Sequence, residues 1–186
     1  AEHAKETGSN VPTAPIIFAK FPSSIIATGQ AITWSKGITK EVDWEGELAV
    51  VIGKRARHVS EEDAFKHVFG YTIANDVSAR DLQLRTDAQW TRGKSLDTFC
   101  PLGPWIVTKD EIADPHALGI KTEVSGNVRQ DGNTKDFIFN IPTLIAYCSR
   151  MFTLEPGDLI LTGTPAGVGE GMNPKTYLQD GDTVSI

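Results

Sequence analysis

The sequence has little of what disulfide-bonded, zinc-binding or membrane-spanning proteins need. Its 186 residues include two cysteines, Cys100 and Cys148, which lie far apart and at no metal-ligand spacing. This disfavours a disulfide framework and a zinc knuckle, and predicts a reduced, cytoplasmic protein. No run approaches the ~20 apolar residues that cross a bilayer, and the polar start AEHAKETGSN has no signal-peptide core, so no membrane partner is expected.

Positive charge is also scarce. Lysine and arginine number 18 against 24 aspartates and glutamates, which gives a net charge of −6. A protein that neutralises a phosphate backbone normally has the opposite balance, so no nucleic-acid partner is expected. The chain also lacks a Pro/Gly/Ser-rich linker, and its hydrophobic and charged fractions are 40% and 23%. These features predict one globular domain over residues 1–186.

Short apolar segments separated by turns predict more strand than helix. The segments 42–54, 70–76 and 137–139 are typical of strands, and Pro142 is placed to begin a helix. Most connections are too short for βαβ crossovers. The predicted fold class is therefore α+β, mostly β.

Two glutamates stand out in the strand segment DWEGELAVVIG. Strand alternation puts Glu45 and Glu47 on one face, about 6.5–7 Å apart at their Cα atoms, so their carboxylates can converge on an ion between them. Asp76 ends the next apolar strand and can supply a third oxygen. Three carboxylates without imidazole or thiolate favour Mg²⁺, Mn²⁺ or Ca²⁺ over zinc.

The same spacing fits two solvent-facing glutamates that pair with lysine or arginine, and periodicity alone leaves both interpretations equally open. His3 and Glu6 are also ambiguous. At i, i+3 on a helix they can form a general-base pair for water, but an exposed pair on a frayed helix is the commoner outcome.

Basic and hydroxyl side chains follow the acidic segments. Arg80, Gln83 and Lys94 could bind the carboxylate of an acid substrate or stabilise an oxyanion, although each by itself is more often a surface residue. In the glycine-rich stretch TGTPAGVG, Thr164 could offer its hydroxyl, with nearby backbone N–H groups, to a carboxylate.

Taken together, six segments resemble the fumarylacetoacetate hydrolase family, in the branch of acylpyruvases and oxaloacetate decarboxylases. They span nearly the whole chain in the family's order, and the combination of ExE, NDVSARD and LTGTPxGVG is the most specific part. The segments are AEHAKE, DWEGELAVVIG, GYTIANDVSARDLQ, WTRGKSLDTFCPLGPW, FNIPTLIAYCS and LEPGDLILTGTPAGVG.

The resemblance implies a mixed β-sandwich roll with short helices and a homodimer. It implies that Glu45, Glu47 and Asp76 hold one Mg²⁺ or Mn²⁺ per chain. It also implies that His3 and Glu6 form a catalytic dyad on a mobile N-terminal helix. Both ends of the chain are expected to be trimmed relative to the family.

The remaining site residues implied by the resemblance bind substrate. Arg80, Gln83, Lys94 and Thr164 match positions that contact the oxo-carboxylate end, and Lys94 is also expected to be catalytic. A chelated 2-oxo acid would have its ketone polarised and its enolate stabilised.

Three functions follow as hypotheses. The leading one is metal-dependent C–C bond cleavage in a small 2-oxo acid, either decarboxylation of oxaloacetate or hydrolysis of an acylpyruvate. The first alternative is an isomerase or decarboxylase of aromatic-catabolic intermediates of the 5-carboxymethyl-2-hydroxymuconate or 2-hydroxyhepta-2,4-diene-1,7-dioate type. The second is a non-catalytic domain in which the carboxylates bind a metal or ligand.

Overall fold

Strands dominate the regular structure of the chain. The structure is a computed structural model that describes residues 2–87 and 89–186. The strands are β1 (Ile25–Ala27), β2 (Val42–Asp43), β3 (Gly46–Ile52), β4 (Val68–Asn75), β5 (Ser78–Ala79), β6 (Cys100–Thr108), β7 (Gly119–Val124), β8 (Asn127–Asn133), β9 (Leu159–Leu161) and β10 (Val184–Ser185).

The helices are short. The α-helices are α1 (Glu2–Glu6), α2 (Arg80–Leu84), α3 (Trp90–Lys94) and α4 (Ile141–Met151), and 3₁₀ turns cover Pro22–Ser24, Ala64–His67, Thr134–Asp136 and Gly169–Gly171. The predicted class, α+β and mostly β, is confirmed. None of the helices in the described ranges combines the length and apolar character that a membrane crossing requires.

A five-stranded sheet forms the centre, in the order β1-β6-β4-β3-β9, with β1 parallel to β6 and the other pairs antiparallel. Strands β10, β7 and β8 form a second sheet, and β2 pairs with β5. All seven residues of β3 are buried, as expected for a strand that is apolar on both faces.

The predicted strand over 42–54 is in fact two strands with a break at Trp44 and Glu45. Side chains take over the backbone hydrogen bonds there: Trp44 N–H donates to Asp43 Oδ1 at 2.9 Å, and Glu45 N–H donates to Asn75 Oδ1 at 3.0 Å. The break therefore satisfies the backbone without a strand partner.

Helix α4 covers one face of the central sheet. Asn140 caps it by accepting a hydrogen bond from Thr143 N–H at 2.8 Å, and Pro142 is its second residue rather than its first. The predicted strand at 137–139 is wrong, because Phe137 N–H donates to Thr134 O and closes a 3₁₀ turn. The alternating apolar residues there lead into the helix cap.

Two apolar clusters support the chain. The first joins β3, β4 and α4 and includes Leu48, Val50, Ile52, Tyr71, Ile141 and Ile145. The second contains the residues that flank the acidic segments, among them Val42, Trp44, Val77, Ala79 and Phe99. This second cluster fixes the backbone just before Glu45 and just after Asp76.

Candidate metal centre

The three predicted metal ligands converge. Glu45, Glu47 and Asp76 each offer a carboxylate oxygen, and these three oxygens lie within 4.8 Å of one another. The register of β3 against β4 pairs Gly46 with Asn75, and Asp76 N–H donates to Glu45 O at 2.8 Å. All three side chains are at most 5% exposed, so they do not form the solvent-facing pair that periodicity left open.

Basic side chains compensate two of these carboxylates. Lys94 Nζ lies 2.9 Å from both Glu45 Oε2 and Asp76 Oδ2. Arg80 Nη1 lies 2.7 Å from Glu45 Oε1, and Lys20 Nζ lies 2.7 Å from Asp76 Oδ1. Burial by itself would raise the pKa of Glu45, but the Lys94 and Arg80 charges outweigh it and hold that pKa below its usual range.

Glu47 is the uncompensated member of the triad. Within the described residues, Gly163 N–H, at 2.6 Å from Oε2, is its one hydrogen-bond donor. Burial, together with the charges of Asp76 and Glu45, raises the pKa of Glu47 well above its usual value. A cation between the three carboxylates would relieve this repulsion, and an all-oxygen donor set suits a hard divalent ion. The residues therefore fit Mg²⁺ or Mn²⁺.

The raised pKa of Glu47 predicts pH-dependent metal binding. The unfolded chain loses the Glu47 proton near pH 4.5, whereas the folded, metal-free chain keeps it to a higher pH. The free energy of unfolding of the metal-free chain therefore falls as pH rises from 4.5 through the folded-state pKa. Metal binding needs the ionised carboxylate, so Mn²⁺ affinity should rise over the same window with release of a proton. Isothermal titration calorimetry in buffers of different ionisation enthalpy measures that proton. Affinity that is flat across this window would contradict the prediction.

Arg80 is held in place by a fully buried aspartate that the sequence reasoning missed. Asp43 accepts hydrogen bonds from Arg80 Nε at 2.8 Å, Gly169 N–H at 2.7 Å and Glu170 N–H at 2.9 Å. Burial raises the pKa of Asp43 although Arg80 opposes the shift. Arg80 Nη1 also donates to Gln83 Oε1 at 2.9 Å. The two predicted substrate-binding residues Arg80 and Gln83 thus contact each other, and Asp43 connects Arg80 to the 169–171 turn.

One nitrogen of Arg80 has no partner in the part of the chain that the structure describes. Arg80 is 3% exposed, and its Nη2 is buried without a hydrogen-bond partner among the described residues. An unpaired buried guanidinium donor costs free energy unless a ligand oxygen meets it. The site therefore contains a cationic donor beside Glu45 that is unsatisfied among the described residues and closed to solvent.

The predicted dyad also lies beside this site. His3 Nδ1 is 2.8 Å from Glu6 Oε1, and Glu6 Oε2 accepts a hydrogen bond from Gly167 N–H at 2.8 Å. Helix α1 packs closely here, since a Cβ on Gly171 would lie 2.6 Å from Glu6 Cδ. Burial raises the pKa of Glu45, and the charges of Lys94, Arg80 and His3 lower it, with His3 contributing less than the other two. Its imidazole is therefore near the triad.

Thr164 lies against the backbone that joins the two glutamates. Its Oγ1 donates to Gly46 O at 3.0 Å and accepts from Gln130 Nε2 at 2.7 Å. All of the predicted site residues are thus close to the triad or hydrogen-bonded to its neighbours.

Three residues at the site were not predicted. Asp43 had a usable signal, because it precedes Glu45 and Glu47 at the same two-residue spacing. Lys20 also had one, as a single charge in the apolar stretch IIFAKFP. Gln130 had none, because its importance depends on where β8 packs.

The fold and the site define a class of domain in which a mostly β fold holds a buried carboxylate triad beside basic side chains. The family model described as fumarylacetoacetate (FAA) hydrolase C-terminal matches residues 1–186. The chain belongs to the fumarylacetoacetate hydrolase family, a family of enzymes, as its sequence predicted.

Similar proteins carry more specific names. "Oxaloacetate tautomerase FAHD2A, mitochondrial" of Homo sapiens is 52% identical over 184 residues, which cover 98% of this chain and 58% of that protein. "Oxaloacetate tautomerase YisK" of Bacillus subtilis (strain 168) is 49% identical over 187 residues, which cover 100% of this chain and 62% of that protein. The chain thus spans about three fifths of the length of these two relatives.

Solved structures share the fold. The 5-carboxymethyl-2-hydroxymuconate delta-isomerase of Mycobacterium smegmatis superposes with a TM-score of 0.86 at 47% identity, covering 99% of this chain and 68% of that chain. This agreement supports the predicted family fold for this sequence.

Proposed function

We propose that this chain forms the active site of a Mg²⁺- or Mn²⁺-dependent enzyme that acts on a small 2-oxo diacid, with oxaloacetate as the first candidate, through its enolate. One ion per chain would be bound by Glu45, Glu47 and Asp76. The names of the human and Bacillus subtilis relatives support oxaloacetate as substrate. The sequence-based prediction had offered oxaloacetate beside acylpyruvates, and the names of these relatives favour oxaloacetate.

The unpaired Nη2 of Arg80 is the observation that carries the substrate class. It is a buried cationic donor within the same side chain that contacts Glu45, and a carboxylate is the group that best satisfies it. A carboxylate at Arg80 would place the neighbouring keto oxygen of a 2-oxo acid toward the triad. A divalent ion bound there would polarise that ketone and stabilise negative charge on the enolate oxygen.

Lys94 adds a fixed positive charge to the same region. Its ammonium is 1% exposed and bridges Glu45 and Asp76. The charges of Asp76 and Glu45 raise the pKa of Lys94 against the opposing effect of burial. It therefore remains protonated, orients two of the ligand carboxylates and offers its charge to a developing oxyanion.

The dyad supplies the proton transfer. Because the Glu6 carboxylate accepts hydrogen bonds, the partner nitrogen of His3, Nδ1, carries the proton, which in a neutral imidazole leaves the lone pair on Nε2. In this proposal Nε2 removes a proton from the carbon next to the ketone. Gly167 N–H holds Glu6 and thus fixes the direction of the imidazole ring.

Several reactions pass through an enolate of a 2-oxo acid. Moving the proton between carbon and oxygen is keto–enol tautomerisation, the activity named for the two relatives. Loss of carbon dioxide from the keto form of oxaloacetate would leave the enolate of pyruvate, which takes up a proton to give the decarboxylation predicted from sequence. Attack of water on the second carbonyl of an acylpyruvate would break its C–C bond, release a carboxylic acid and leave the same pyruvate enolate. We place oxaloacetate chemistry first because both tautomerisation and decarboxylation need only the groups described above.

An isomerase of aromatic-catabolic dienols is the second candidate. The structural neighbour from Mycobacterium smegmatis is named as such an isomerase, and isomerisation reprotonates the same kind of enolate at another carbon. The site geometry accommodates both reactions, so a substrate comparison decides between them.

The proposed function is tested with a substrate panel and a chelator. With Mn²⁺ present, oxaloacetate should be turned over faster than acetylpyruvate or a 2-hydroxymuconate-type dienol, and EDTA should abolish the activity. Enol absorbance measures tautomerisation, and pyruvate formation measures decarboxylation. Activity that survives chelation would overturn the metal-dependent mechanism, and faster turnover of the dienol would favour the isomerase.

Replacing His3 with alanine separates proton transfer from metal binding. We expect turnover to fall by about 10²–10⁴-fold, the usual contribution of a positioned general base, with Mn²⁺ affinity within twofold of the unmodified chain. Titration calorimetry and the enol assay give the two values. An equal loss of both would assign His3 to the metal rather than to the dyad. His58→Ala, an exposed histidine, is the matched control.

Association into a homodimer is a further part of the proposal. Apolar side chains on β4 and β6 are solvent-exposed in the single chain, with Phe69, Trp105 and Ile106 at 49%, 70% and 47% exposure. Such a surface is typical of an interface. The cytoplasmic location predicted from cysteine content stays a prediction, and the human relative is named as mitochondrial.

A further inference from the structure

A buried glutamine, Gln130 in β8, connects the metal-ligand segment to the loop that carries Thr164. Gln130 is 1% exposed. Its Oε1 accepts from Gly46 N–H at 2.9 Å, and its Nε2 donates to Thr164 Oγ1 at 2.7 Å and to Pro165 O at 2.8 Å. The amide orientation is fixed, because a backbone N–H can only donate and a backbone carbonyl can only accept.

This orientation determines the polarity of Thr164. Since Gln130 Nε2 only donates, Thr164 Oγ1 must accept from it. Gly46 O, 3.0 Å away on the other side, can only accept, so it receives the single hydroxyl proton of Thr164. The hydroxyl then has no proton left and one lone pair available. Toward a ligand, Thr164 is a hydrogen-bond acceptor.

The packing around this link leaves little freedom. A Cβ on Gly132 would lie 2.5 Å from Pro165 Cβ, and a Cβ on Gly167 would lie 1.9 Å from Arg129 O. Strand β8 and the 164–167 loop are therefore in direct contact on both sides of Gln130. Because Gly46 separates Glu45 from Glu47, the same contacts align the loop with the metal ligands.

We infer that Gln130 is a positioning residue that sets Thr164 as an acceptor, so that the site favours a ligand bearing a proton there, such as an enol or a 2-hydroxy acid. This rests on the proposed function, because an acid bound at the triad would lie beside Thr164, which follows the Gly163 N–H that donates to Glu47. It also reverses the sequence-based expectation that the Thr164 hydroxyl donates to a carboxylate. A keto acid dianion offers only acceptor oxygens, whereas its enol adds one O–H donor.

Two small probes separate donor-bearing from acceptor-only ligands. Glycolate carries a 2-hydroxyl, and oxalate carries no proton at neutral pH. With the Mn²⁺-loaded chain, Thr164→Val should weaken glycolate binding by roughly fivefold, the size of one hydrogen bond, and change oxalate binding by less than twofold. Thr164→Ser keeps the hydroxyl and should restore the unmodified ratio of the two dissociation constants.

A double-mutant cycle tests the role of Gln130. Gln130→Met should reduce the preference for glycolate over oxalate when residue 164 is threonine, and leave the ratio unchanged in the Thr164→Val background. If Gln130 were only structural, Gln130→Met would weaken the binding of glycolate and of oxalate equally in both backgrounds.

The outcomes are distinct. The assigned polarity is overturned if Thr164→Val loses affinity for oxalate rather than for glycolate, or if the ratio of the two dissociation constants does not change. The proposed function stands in both cases. Failure of both probes to bind the Mn²⁺-loaded, unmodified chain overturns the proposed function together with this inference.

Discussion

Changing Glu47 to glutamine is expected to abolish Mn²⁺-dependent turnover of oxaloacetate while the metal-free chain stays folded and becomes no less stable at neutral pH. The carboxylate of Glu47 is buried beside Asp76 and Glu45, and its pKa is raised because these charges and burial disfavour ionisation. An uncharged amide of the same shape removes that repulsion. It can still accept the hydrogen bond from Gly163 N–H.

The loss of metal affinity should exceed the 10–100-fold that removal of an outer-shell partner typically costs, because a direct ligand is lost. Calorimetric Mn²⁺ titration, thermal unfolding without metal and the enol assay give the three readouts. Glu155→Gln, at an exposed position, is the matched control and should leave all three unchanged. If Glu47→Gln lowered the melting temperature of the Mn²⁺-loaded chain and the unmodified chain had no oxaloacetate activity to lose, the non-catalytic alternative would be favoured.

Local patterns in the sequence selected the three carboxylates at the centre of the site but did not decide what they do. The two-residue spacing of Glu45 and Glu47 reflects the strand period, and Asp76 follows an apolar run that pairs with the same strand. The family resemblance then decided between the metal site and the surface pair. The apolar residues on both faces of β3 also agree with its complete burial.

Long-range packing explains what the sequence did not reveal. The ammonium of Lys20 reaches Asp76 across 56 positions of the chain, and Gln130 reaches Gly46 across 84. No periodicity encodes such pairs. The break at Trp44 and Glu45 was missed for a similar reason, since side chains of Asp43 and Asn75 replace the strand partner.

The charge balance of the site connects metal binding to substrate binding. Four buried carboxylates, those of Asp43, Glu45, Glu47 and Asp76, outnumber the three cationic side chains that contact them, Lys20, Arg80 and Lys94. With all four carboxylates ionised, as metal binding requires of Glu47, the formal charge of this group is −1, which repels a dianionic acid. A divalent ion reverses the sign to +1. We therefore expect oxalate to bind after the metal.

Replacing Lys94 with methionine is expected to destabilise the metal-free chain by about 3–5 kcal/mol, the cost of removing one partner of a buried ion pair. The side chain is fully enclosed, and its ammonium bridges Glu45 and Asp76. Without it, carboxylate repulsion increases and a divalent ion is attracted more strongly. Mn²⁺ should therefore raise the melting temperature of Lys94→Met more than that of the unmodified chain.

Mn²⁺ should restore the stability of Lys94→Met but not its turnover. If Lys94 stabilises the developing oxyanion, the Mn²⁺-saturated variant should be about 10²–10³-fold slower, as for loss of one oriented donor. Thermal unfolding with and without Mn²⁺ and the enol assay at saturating Mn²⁺ separate the two effects. Lys121→Met, at an exposed position on β7, is the matched control. Full activity in Mn²⁺-saturated Lys94→Met would limit Lys94 to a structural role, because the ion alone would then meet the charge that forms on the enolate.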